Sequence, residues 1–386
     1  MTDARFEVIG RDGPARRGTL RLPHGDVPTP AFMPVGTRAA VKGLTSDAVE
    51  ALGADIVLAN TYHLHLRPGD DLVARAGGLH AFMGWSRPIL TDSGGYQVFS
   101  LAARRTLDED GVVFQSHLDG RACRLTPESV VDIQARLGSD VAMIFDECPS
   151  WPATEAEVAA AVDRTVRWAR RGRDRFLELR AGGAPEVPRA TPGQAQFGII
   201  QGGTSPSLRD RSVEGTLAVG FDAYAIGGLS VGEPTALMYE IAAHTAGQLP
   251  EDRPRYLMGV GMPDDLVECV ARGIDLFDCV LPTRNARNGQ VFTRTGPLNL
   301  KNARYAEDDG PVDPDCRCPT CRRHSRAYLR YLFQAGEMTA AALNTAHNLW
   351  FYLDTMERIR KAIEIGTFET FRREFLDAYS RRPNPI

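Results

Sequence analysis

Eight short apolar runs recur along the chain of 386 residues, and nearly all of them end in a polar residue or a glycine. Most of the runs are followed by a segment with helical periodicity, and strands that alternate with helices indicate a parallel sheet. Eight repeats are the number that closes such a sheet into a (β/α)8 TIM barrel, whereas a doubly wound open sheet is the alternative. The runs cover residues 31–35, 56–60, 89–92, 141–146, 197–201, 223–228, 256–261 and 276–278.

The polar residues at the ends of four runs favour the barrel over the open sheet. In a barrel, the carboxyl ends of all strands converge on one mouth, where active sites are built. The sequence therefore predicts a barrel whose mouth carries acids and amides. The four residues concerned are Asp92, Asp146, Gln201 and Asp278.

Helix starts between the runs are indicated by capping residues. Thr126 and Pro127 supply a cap and a proline at the first helical position. Thr154 with Glu157 matches a capping box. Residues 106–124 interrupt the alternation and predict a β-hairpin inserted after the third strand.

Three closely spaced cysteines indicate a metal site. The chain has seven cysteines, an odd number, so they cannot all pair as disulfides within the chain. Cys316, Cys318 and Cys321 with His347 would supply three thiolates and one imidazole, the ligands of a closed, structural zinc site with one Zn2+ per subunit. His324 is the other candidate for the fourth ligand, but His347 lies in a helical pattern that would hold it rigidly. Free thiols in a loop are the alternative.

This cluster divides the chain into two predicted parts. We expect a catalytic (β/α)8 barrel over residues 1–288, and a C-terminal zinc-binding subdomain with helices packed on the barrel over residues 289–386. The C-terminal helices are predicted at residues 340–365 and 368–379.

Charge and hydropathy restrict the partners. The net charge of −4 argues against binding nucleic acid through global basicity, so any RNA contact must come from a local patch. No apolar run is long enough for a membrane helix, and the N-terminus lacks the layout of a signal peptide. We therefore expect a cytoplasmic protein without a membrane partner.

Two acids at strand ends form a candidate catalytic pair. Asp278 is followed by Arg284 and Arg287, and positive charge nearby would keep its carboxylate ionised and nucleophilic. Capping of its own loop or an ion pair with Arg284 are the alternatives. With Asp92 at the same mouth, the pair could divide the labour of cleaving a glycosidic bond, one attacking the anomeric carbon and one handling protons.

Three further strand ends suit a purine base. Asp146 can accept from the N1–H and amino edge of a guanine-like base, while the Gln201 amide and the backbone amide of Gly228 can donate to its carbonyl. Tyr96 offers a ring for stacking. Each of these residues could instead cap a loop, but together with an acid pair they indicate a ligand pocket.

These residues resemble a known family, the queuine tRNA-ribosyltransferases, or tRNA-guanine transglycosylases, of bacterial type. The resemblance runs over essentially the whole chain, from Phe32 to His347. The motifs that carry it are DSGGYQ at 92–97, FDEC at 145–148, GGLSVGE at 227–233 and DCVLPTR at 278–284.

The resemblance implies a pentosyltransferase of queuosine biosynthesis. Such an enzyme exchanges the wobble guanine of tRNAs with GUN anticodons, those for aspartate, asparagine, histidine and tyrosine, for 7-aminomethyl-7-deazaguanine (preQ1). By this resemblance Asp278 is the nucleophile that forms a covalent RNA–enzyme intermediate, and Asp92 is the general acid/base. The family also suggests a homodimer that binds the anticodon loop of tRNA, together with guanine and preQ1.

The resemblance also implies roles for the pocket residues. Tyr96 and Met258 resemble the two faces between which the base stacks, and Glu233 resembles the group that orients the Leu229–Ser230 peptide. Val231 leaves less space than the glycine of the eukaryotic pattern, which favours preQ1 over queuine. The implied base-binding residues are Asp146, Gln201, Gly228, Leu229, Tyr96, Met258, Ser93 and Glu233.

RNA contacts are expected from basic residues outside the pocket. Arg284 and Arg287 follow the nucleophile and are placed to hold phosphates. A basic stripe around the cysteines could touch tRNA, form a dimer interface or be solvated surface. The stripe comprises Arg317, Arg322, Arg323, Arg326 and Arg330, with Lys301 and Arg304 beside it.

Two other functions remain open at this stage. One is a tRNA-binding subunit without activity, against which the presence of both Asp92 and Asp278 argues. The other is a zinc hydrolase of nucleosides, which would need an open position on the metal.

Overall fold

The eight apolar runs form one parallel sheet in the computed structural model. The structure describes residues 5–101, 105–184, 186–188 and 191–380, except for the side chains of residues 99–101. The strands are β1 (Arg5–Asp12), β2 (Ala15–Leu22), β3 (Gly25–Thr29), β4 (Ala31–Pro34), β5 (Val57–Ala59), β6 (Ile89–Thr91), β7 (Arg105–Leu107), β8 (Val112–Gln115), β9 (Ala122–Leu125), β10 (Val141–Met143), β11 (Ala195–Ile200), β12 (Ala223–Ile226), β13 (Arg255–Leu257), β14 (Leu276–Cys279), β15 (Gln290–Thr293) and β16 (Gly296–Asn299).

The order of the eight parallel strands follows the chain, and the last strand pairs with the first. The order is β4-β14-β13-β12-β11-β10-β6-β5. Between β4 and β5 the circle is completed by a parallel bridge of Val35 with Leu58, where Gly36 N donates to Leu58 O at 2.6 Å. The predicted barrel is confirmed, and the doubly wound open sheet is wrong.

The barrel strands are apolar because both of their faces are covered. Side chains of neighbouring strands fill the inside, and helices cover the outside. The helices are α1 (Ser46–Ala51), α2 (Thr61–Leu66), α3 (Asp70–Arg75), α4 (Gly78–Met83), α5 (Gly95–Leu101), α6 (Pro127–Leu137), α7 (Glu155–Ala181), α8 (Pro206–Val219), α9 (Thr235–Ala246), α10 (Pro263–Val270), α11 (Leu281–Arg287), α12 (Arg326–Gln334), α13 (Met338–Glu364) and α14 (Phe368–Ser380).

The helix starts agree with the capping residues in the sequence. Thr126 Oγ1 accepts from Ser129 N at 3.1 Å at the start of α6. At the start of α7, Glu157 Oε2 accepts from Thr154 N at 2.8 Å, so the capping box is present.

Two three-stranded antiparallel sheets lie outside the barrel sheet. The predicted hairpin after the third barrel strand is a three-stranded sheet, because β7 pairs with β8 in addition to the β8–β9 hairpin. The sheet of β1, β2 and β3 precedes the barrel and was not predicted. It contributes Arg16, which is fully buried and forms an ion pair with Asp275 immediately before β14.

The C-terminal region begins with the antiparallel pair β15–β16 and a short 3-10 helix, Ala303–Tyr305. The predicted helices at 340–365 and 368–379 correspond to α13 and α14. Helix α13 packs against the barrel, where Tyr352 donates a hydrogen bond to Gly261 O at 2.5 Å. The division into residues 1–288 and 289–386 stays a prediction. Among the described residues, no helix combines the length and apolarity that crossing a membrane requires.

Candidate active site

A cleft of about 490 Å³ opens at the carboxyl ends of the barrel strands. It brings together most of the residues that the sequence predicted for the site. The predicted residues that line it are Asp92, Ser93, Tyr96, Asp146, Gln201, Gly228, Leu229, Met258, Asp278 and Arg284. Glu233 and Arg287 lie outside this lining.

Asp278 stands on β14 and faces the cleft with hydrogen-bond donors behind it. Its Oδ1 accepts from Tyr256 OH at 2.6 Å and from Gly259 N at 2.9 Å. Burial raises the pKa of Asp278, and these two hydrogen bonds oppose the rise. Neither Arg284 nor any other cation of the described residues forms an ion pair with Asp278, so donors rather than arginines favour its ionised form.

Asp92 follows β6 and is held by three donors. Its Oδ1 accepts from Thr61 N at 2.8 Å, and its Oδ2 accepts from Gln97 Nε2 at 2.8 Å and from Asn60 Nδ2. Burial raises the pKa of Asp92 to about 6 against these hydrogen bonds, and the charge of Asp278 adds to the rise. The negative charge of Asp278 therefore favours the protonated form of Asp92.

Asp146 and Gln201 form a buried polar pair on the next two strands. Gln201 Nε2 donates to Asp146 Oδ2 at 2.7 Å, and Ser93 Oγ donates to Asp146 Oδ1 at 3.1 Å. Burial raises the pKa of Asp146 to about 6, although both hydrogen bonds lower it. Gln201 Oε1 is buried without a hydrogen-bond partner.

The loop after β12 approaches this pair so closely that it requires glycine. A Cβ on Gly228 would lie 2.4 Å from Gln201 Oε1, and its φ of +67° is left-handed. The Glu233 carboxylate accepts from Ser230 N and from Val231 N, the latter at 3.0 Å. Glu233 thus touches the Leu229–Ser230 peptide from outside the cleft.

Comparison with known proteins identifies the family. The model of the queuine tRNA-ribosyltransferase family matches residues 12–381. This chain belongs to that family. A queuine tRNA-ribosyltransferase of Novosphingobium aromaticivorans is 53% identical over 382 residues, covering 99% of this chain and 100% of the relative.

Other curated relatives carry the same description. One of Shewanella frigidimarina is 52% identical over 377 residues, which is 98% of each chain. One of Caldanaerobacter subterraneus subsp. tengcongensis is 52% identical over 381 residues, again 98% of each chain. Membership of the queuine tRNA-ribosyltransferase family makes the chain an enzyme, a pentosyltransferase, as the sequence predicted.

Further residues of the cleft flank the pair of Asp146 and Gln201. Tyr96 is 57% exposed at the rim, whereas Met258 is half-buried. Cys148 and Val231 line the same cleft. Burial raises the pKa of Cys148 to about 12, so its thiol stays neutral.

Sequence reasoning missed the partners of the two catalytic candidates. Asn60 ends the second apolar run, so the rule that selected Asp92 could also have selected it. Tyr256 begins the seventh run and looks like an ordinary strand residue, so no sequence signal marked it. Asn60 and Tyr256 lie 32 and 22 residues from their partners in the sequence, so only the closed barrel brings them into hydrogen-bond contact.

The predicted metal ligands come together in the C-terminal region. The Sγ atoms of Cys316, Cys318 and Cys321 lie 3.8, 3.4 and 3.3 Å from His347 Nδ1. A tetrahedral zinc ion would place sulfur and nitrogen ligands about 3.6 Å apart, so the group fits Zn2+. His347 Nε2 donates to Phe292 O at 2.7 Å, which leaves Nδ1 for the metal. His324 instead stacks on a tyrosine outside this group.

The predicted RNA-binding arginines lie beside the nucleophile. Arg284 is exposed and lines the cleft, whereas Arg287 is half-buried and donates to Thr283 O at 3.0 Å. In the basic stripe, Arg326 pairs with Asp308 at 2.9 Å and Arg330 donates to Asn302 O at 3.1 Å. These two stripe residues therefore have structural contacts within the C-terminal region.

Proposed function

We propose that this enzyme exchanges the wobble guanine of GUN-anticodon tRNAs for preQ1 through a covalent RNA–enzyme intermediate. The observation that carries the proposal is the convergence of two carboxylates, Asp278 and Asp92, with the base-reading pair Asp146 and Gln201 in one cleft. A glycosidic bond needs a nucleophile on one side and proton transfer on the other. The family name supplies tRNA as the substrate that carries this bond.

In the first step Asp278 attacks C1′ of the ribose. Both hydrogen bonds to its carboxylate go to Oδ1, so Oδ2 is the attacking oxygen. The C1′–N9 bond breaks, its electron pair goes to N9, and Asp92 supplies the proton that guanine takes up on leaving. The ester between Asp278 and C1′ keeps the RNA bound.

In the second step the incoming base reverses these events. Asp92 accepts the proton from N9 of preQ1, N9 attacks C1′, and Asp278 leaves as a carboxylate. Two inversions at C1′ return the original configuration. The exchange consumes no nucleotide triphosphate, because the ester between Asp278 and C1′ keeps the ribose activated for attack by the incoming base.

The pocket residues take the roles that their positions support. Asp146 accepts from N1–H and the amino group, while Gln201 and the amides of Gly228 and Leu229 donate to the carbonyl at position six. Ser93 holds Asp146 in place at 3.1 Å. Tyr96 and Met258 stack on the two faces of the base, and Glu233 orients the Leu229–Ser230 peptide.

The choice of preQ1 rests on the cleft wall. Cys148 and Val231 both line the cleft, and their side chains leave less room beside the base than glycine would. A small aminomethyl substituent suits this wall better than the bulkier group of queuine. The tRNA is held through phosphates at Arg284 and Arg287, since one faces the cleft and the other stands one helical turn away.

The remaining features complete the proposal. Zn2+ held by Cys316, Cys318, Cys321 and His347 stabilises the C-terminal region and takes no part in the reaction, because four protein ligands fill its coordination. The enzyme acts as a cytoplasmic homodimer on the anticodon loop.

The decisive experiment follows labelled guanine into unmodified tRNA that carries guanine at the wobble position. Wild type should catalyse the exchange, preQ1 should suppress it, and Asp278→Asn, which keeps the shape of the side chain, should be inactive. Wild type mixed with this tRNA should also give a band of enzyme–RNA adduct in denaturing gels. Folded, zinc-loaded wild type without exchange or adduct would contradict the proposal.

A further inference from the structure

Helix α8 lies directly behind the base-reading glutamine and carries a buried cation that Glu233 influences through its charge but does not contact in an ion pair. Arg209 is fully buried. It takes part in none of the ion pairs among the described residues, and its Nη2 has no hydrogen-bond partner. It stands near the N-terminus of α8, where the helix dipole disfavours a cation. Burial lowers the pKa of Arg209 to about 10, so it is charged at neutral pH.

The hydrogen bonds of Arg209 bracket Gln201. Its Nη1 donates to Ile200 O at 2.9 Å, and its Nε donates to Gly203 O at 2.9 Å. These carbonyls belong to the residues immediately before Gln201 and two positions after it. Helical side chains point towards the N-terminus of their helix, which aims Arg209 at this loop.

Ser212 adds a third contact from the same face of α8. Its Oγ accepts from Gln201 N at 3.0 Å, and the side chain is fully buried. The loop around Gly202 packs closely against α8, as shown by the distance of only 2.7 Å between a Cβ added to Gly202 and Arg209 N. The backbone on both sides of Gln201 is therefore fixed by two side chains three residues apart.

The same contacts reach the second donor of the pocket. Ile200 O accepts from Gly227 N at 3.0 Å in addition to Arg209 Nη1. A Cβ on Gly228 would lie 2.4 Å from Gln201 Oε1 and 3.8 Å from Arg209 Nη2. Arg209 is thus next to both groups that we assign to the base carbonyl, the Gln201 amide and the backbone of Gly228.

Arg16, another fully buried arginine, differs from Arg209 because it forms an ion pair. Arg16 lies at the opposite end of the barrel and pairs with Asp275, which is also fully buried. An ion pair of that kind accounts for a buried guanidinium by charge compensation. Arg209 instead donates its hydrogen bonds to backbone carbonyls, and Glu233 acts on it only through its charge, without an ion pair.

We propose that Arg209 and Ser212 form a clamp that fixes the Gln201 amide against the base carbonyl and thereby sets the preference of the site for 6-oxopurines. Both are positioning residues, since neither lines the cleft. A loosened clamp lets the amide turn away, and the contact with the oxygen at position six is lost first. This inference rests on the proposed function.

The test compares inhibition by guanine and by 6-thioguanine in the exchange assay. 6-Thioguanine keeps the N1–H and amino groups but carries sulfur, a weaker acceptor, at position six. The inhibition constant of 6-thioguanine divided by that of guanine therefore reports the contact with Gln201. General loosening of the fold weakens both inhibitors alike and leaves the ratio unchanged.

Three variants of α8 apply this readout. Arg209→Lys keeps the charge but cannot reach both carbonyls in the geometry of a guanidinium, and Ser212→Ala removes the hydroxyl. We expect the ratio to fall about tenfold in the first variant and about threefold in the second. Thr216→Val, one turn further along, also removes a buried hydroxyl, which has no partner, and should keep the wild-type ratio.

Each outcome decides the inference. A lowered ratio in Arg209→Lys and Ser212→Ala with a normal ratio in Thr216→Val supports the clamp. Wild-type ratios in folded clamp variants, or an equal fall in Thr216→Val, overturn it. Should Arg209→Lys not fold, Ser212→Ala decides alone. Wild type that shows no exchange refutes the proposed function instead.

Discussion

Replacing Asp146 by asparagine should stabilise the fold at neutral pH while weakening base binding. Burial raises the pKa of this carboxyl from 3.8 to about 6. One pKa unit corresponds to about 1.4 kcal/mol, so the ionised side chain destabilises the fold by up to about 3 kcal/mol. Asparagine carries no charge, so the substitution removes this destabilisation.

The pH dependence fixes the sign of the effect. Below pH 3.8 the carboxyl is protonated in both the folded and the unfolded chain, and the variant gains nothing. Between pH 3.8 and about 6 the unfolded chain releases its proton first, so the wild type loses stability as the pH rises. Above about 6 the difference between wild type and variant is constant.

The hydrogen bonds of the site can survive the substitution. The asparagine oxygen can still accept from Ser93 Oγ, as Asp146 does at 3.1 Å. Gln201 can turn its amide so that Oε1, now without a partner, accepts from the new amide group. The side chain is only 5% exposed, so little solvent screening reduces the effect.

The assay is urea unfolding of wild type and Asp146→Asn between pH 4.5 and 8. Asp132→Asn is the control, because that half-buried aspartate of α6 accepts from Arg175 of α7 at 2.7 Å, and loss of this ion pair should not stabilise the fold. The KM for guanine in the exchange assay should rise at least about tenfold in Asp146→Asn. A variant that is no more stable than wild type at pH 8 would refute the reasoning.

Three further predictions address the other parts of the structure. Tyr256→Phe removes a hydrogen bond that lowers the pKa of Asp278, so the acidic limb of the pH profile of kcat/KM should move to higher pH; an unmoved limb would show that the contact is not made in solution. His347→Ala should release zinc, measured by elemental analysis, and lower Tm by at least about 5 °C, whereas a zinc-loaded variant would contradict the ligand assignment. Gly228→Ala should lower stability by about 1–3 kcal/mol in urea unfolding and raise the KM for guanine, because the new methyl group meets Gln201 at a left-handed position.

The barrel could be predicted from the sequence because each of its strands is both apolar and short. Because both faces of these strands are covered, polar and apolar residues do not alternate along them. The polar residues that face the cleft mark the ends of the strands. The sheet of β1 to β3 escaped the same reasoning. Its strand β2 reads ARRGTLRL, and the three arginines conceal a strand that buries Arg16 against Asp275.

The sequence predicted which residues meet in the cleft but not their electrostatics. The arginines after Asp278 suggested a carboxylate held ionised by positive charge, whereas its contacts are Tyr256 and Gly259. Sequence proximity to Arg284 does not reveal the direction of that side chain. The contribution of α8 was equally hidden, because Arg209 looks like one more surface arginine of an amphipathic helix until its burial is known.

The acids of the cleft differ from Asp140, another buried acid, in what opposes their burial. Burial raises the pKa of Asp140 as well, but hydrogen bonds from His80 and His24 hold it below the ordinary value. Asp92 and Asp146 receive only neutral donors, and their pKa values stay raised to about 6. Neutral donors orient a carboxylate without cancelling its charge. In the proposed reaction these two acids can therefore change protonation when a base arrives or leaves, at the expense of stability in the unliganded enzyme.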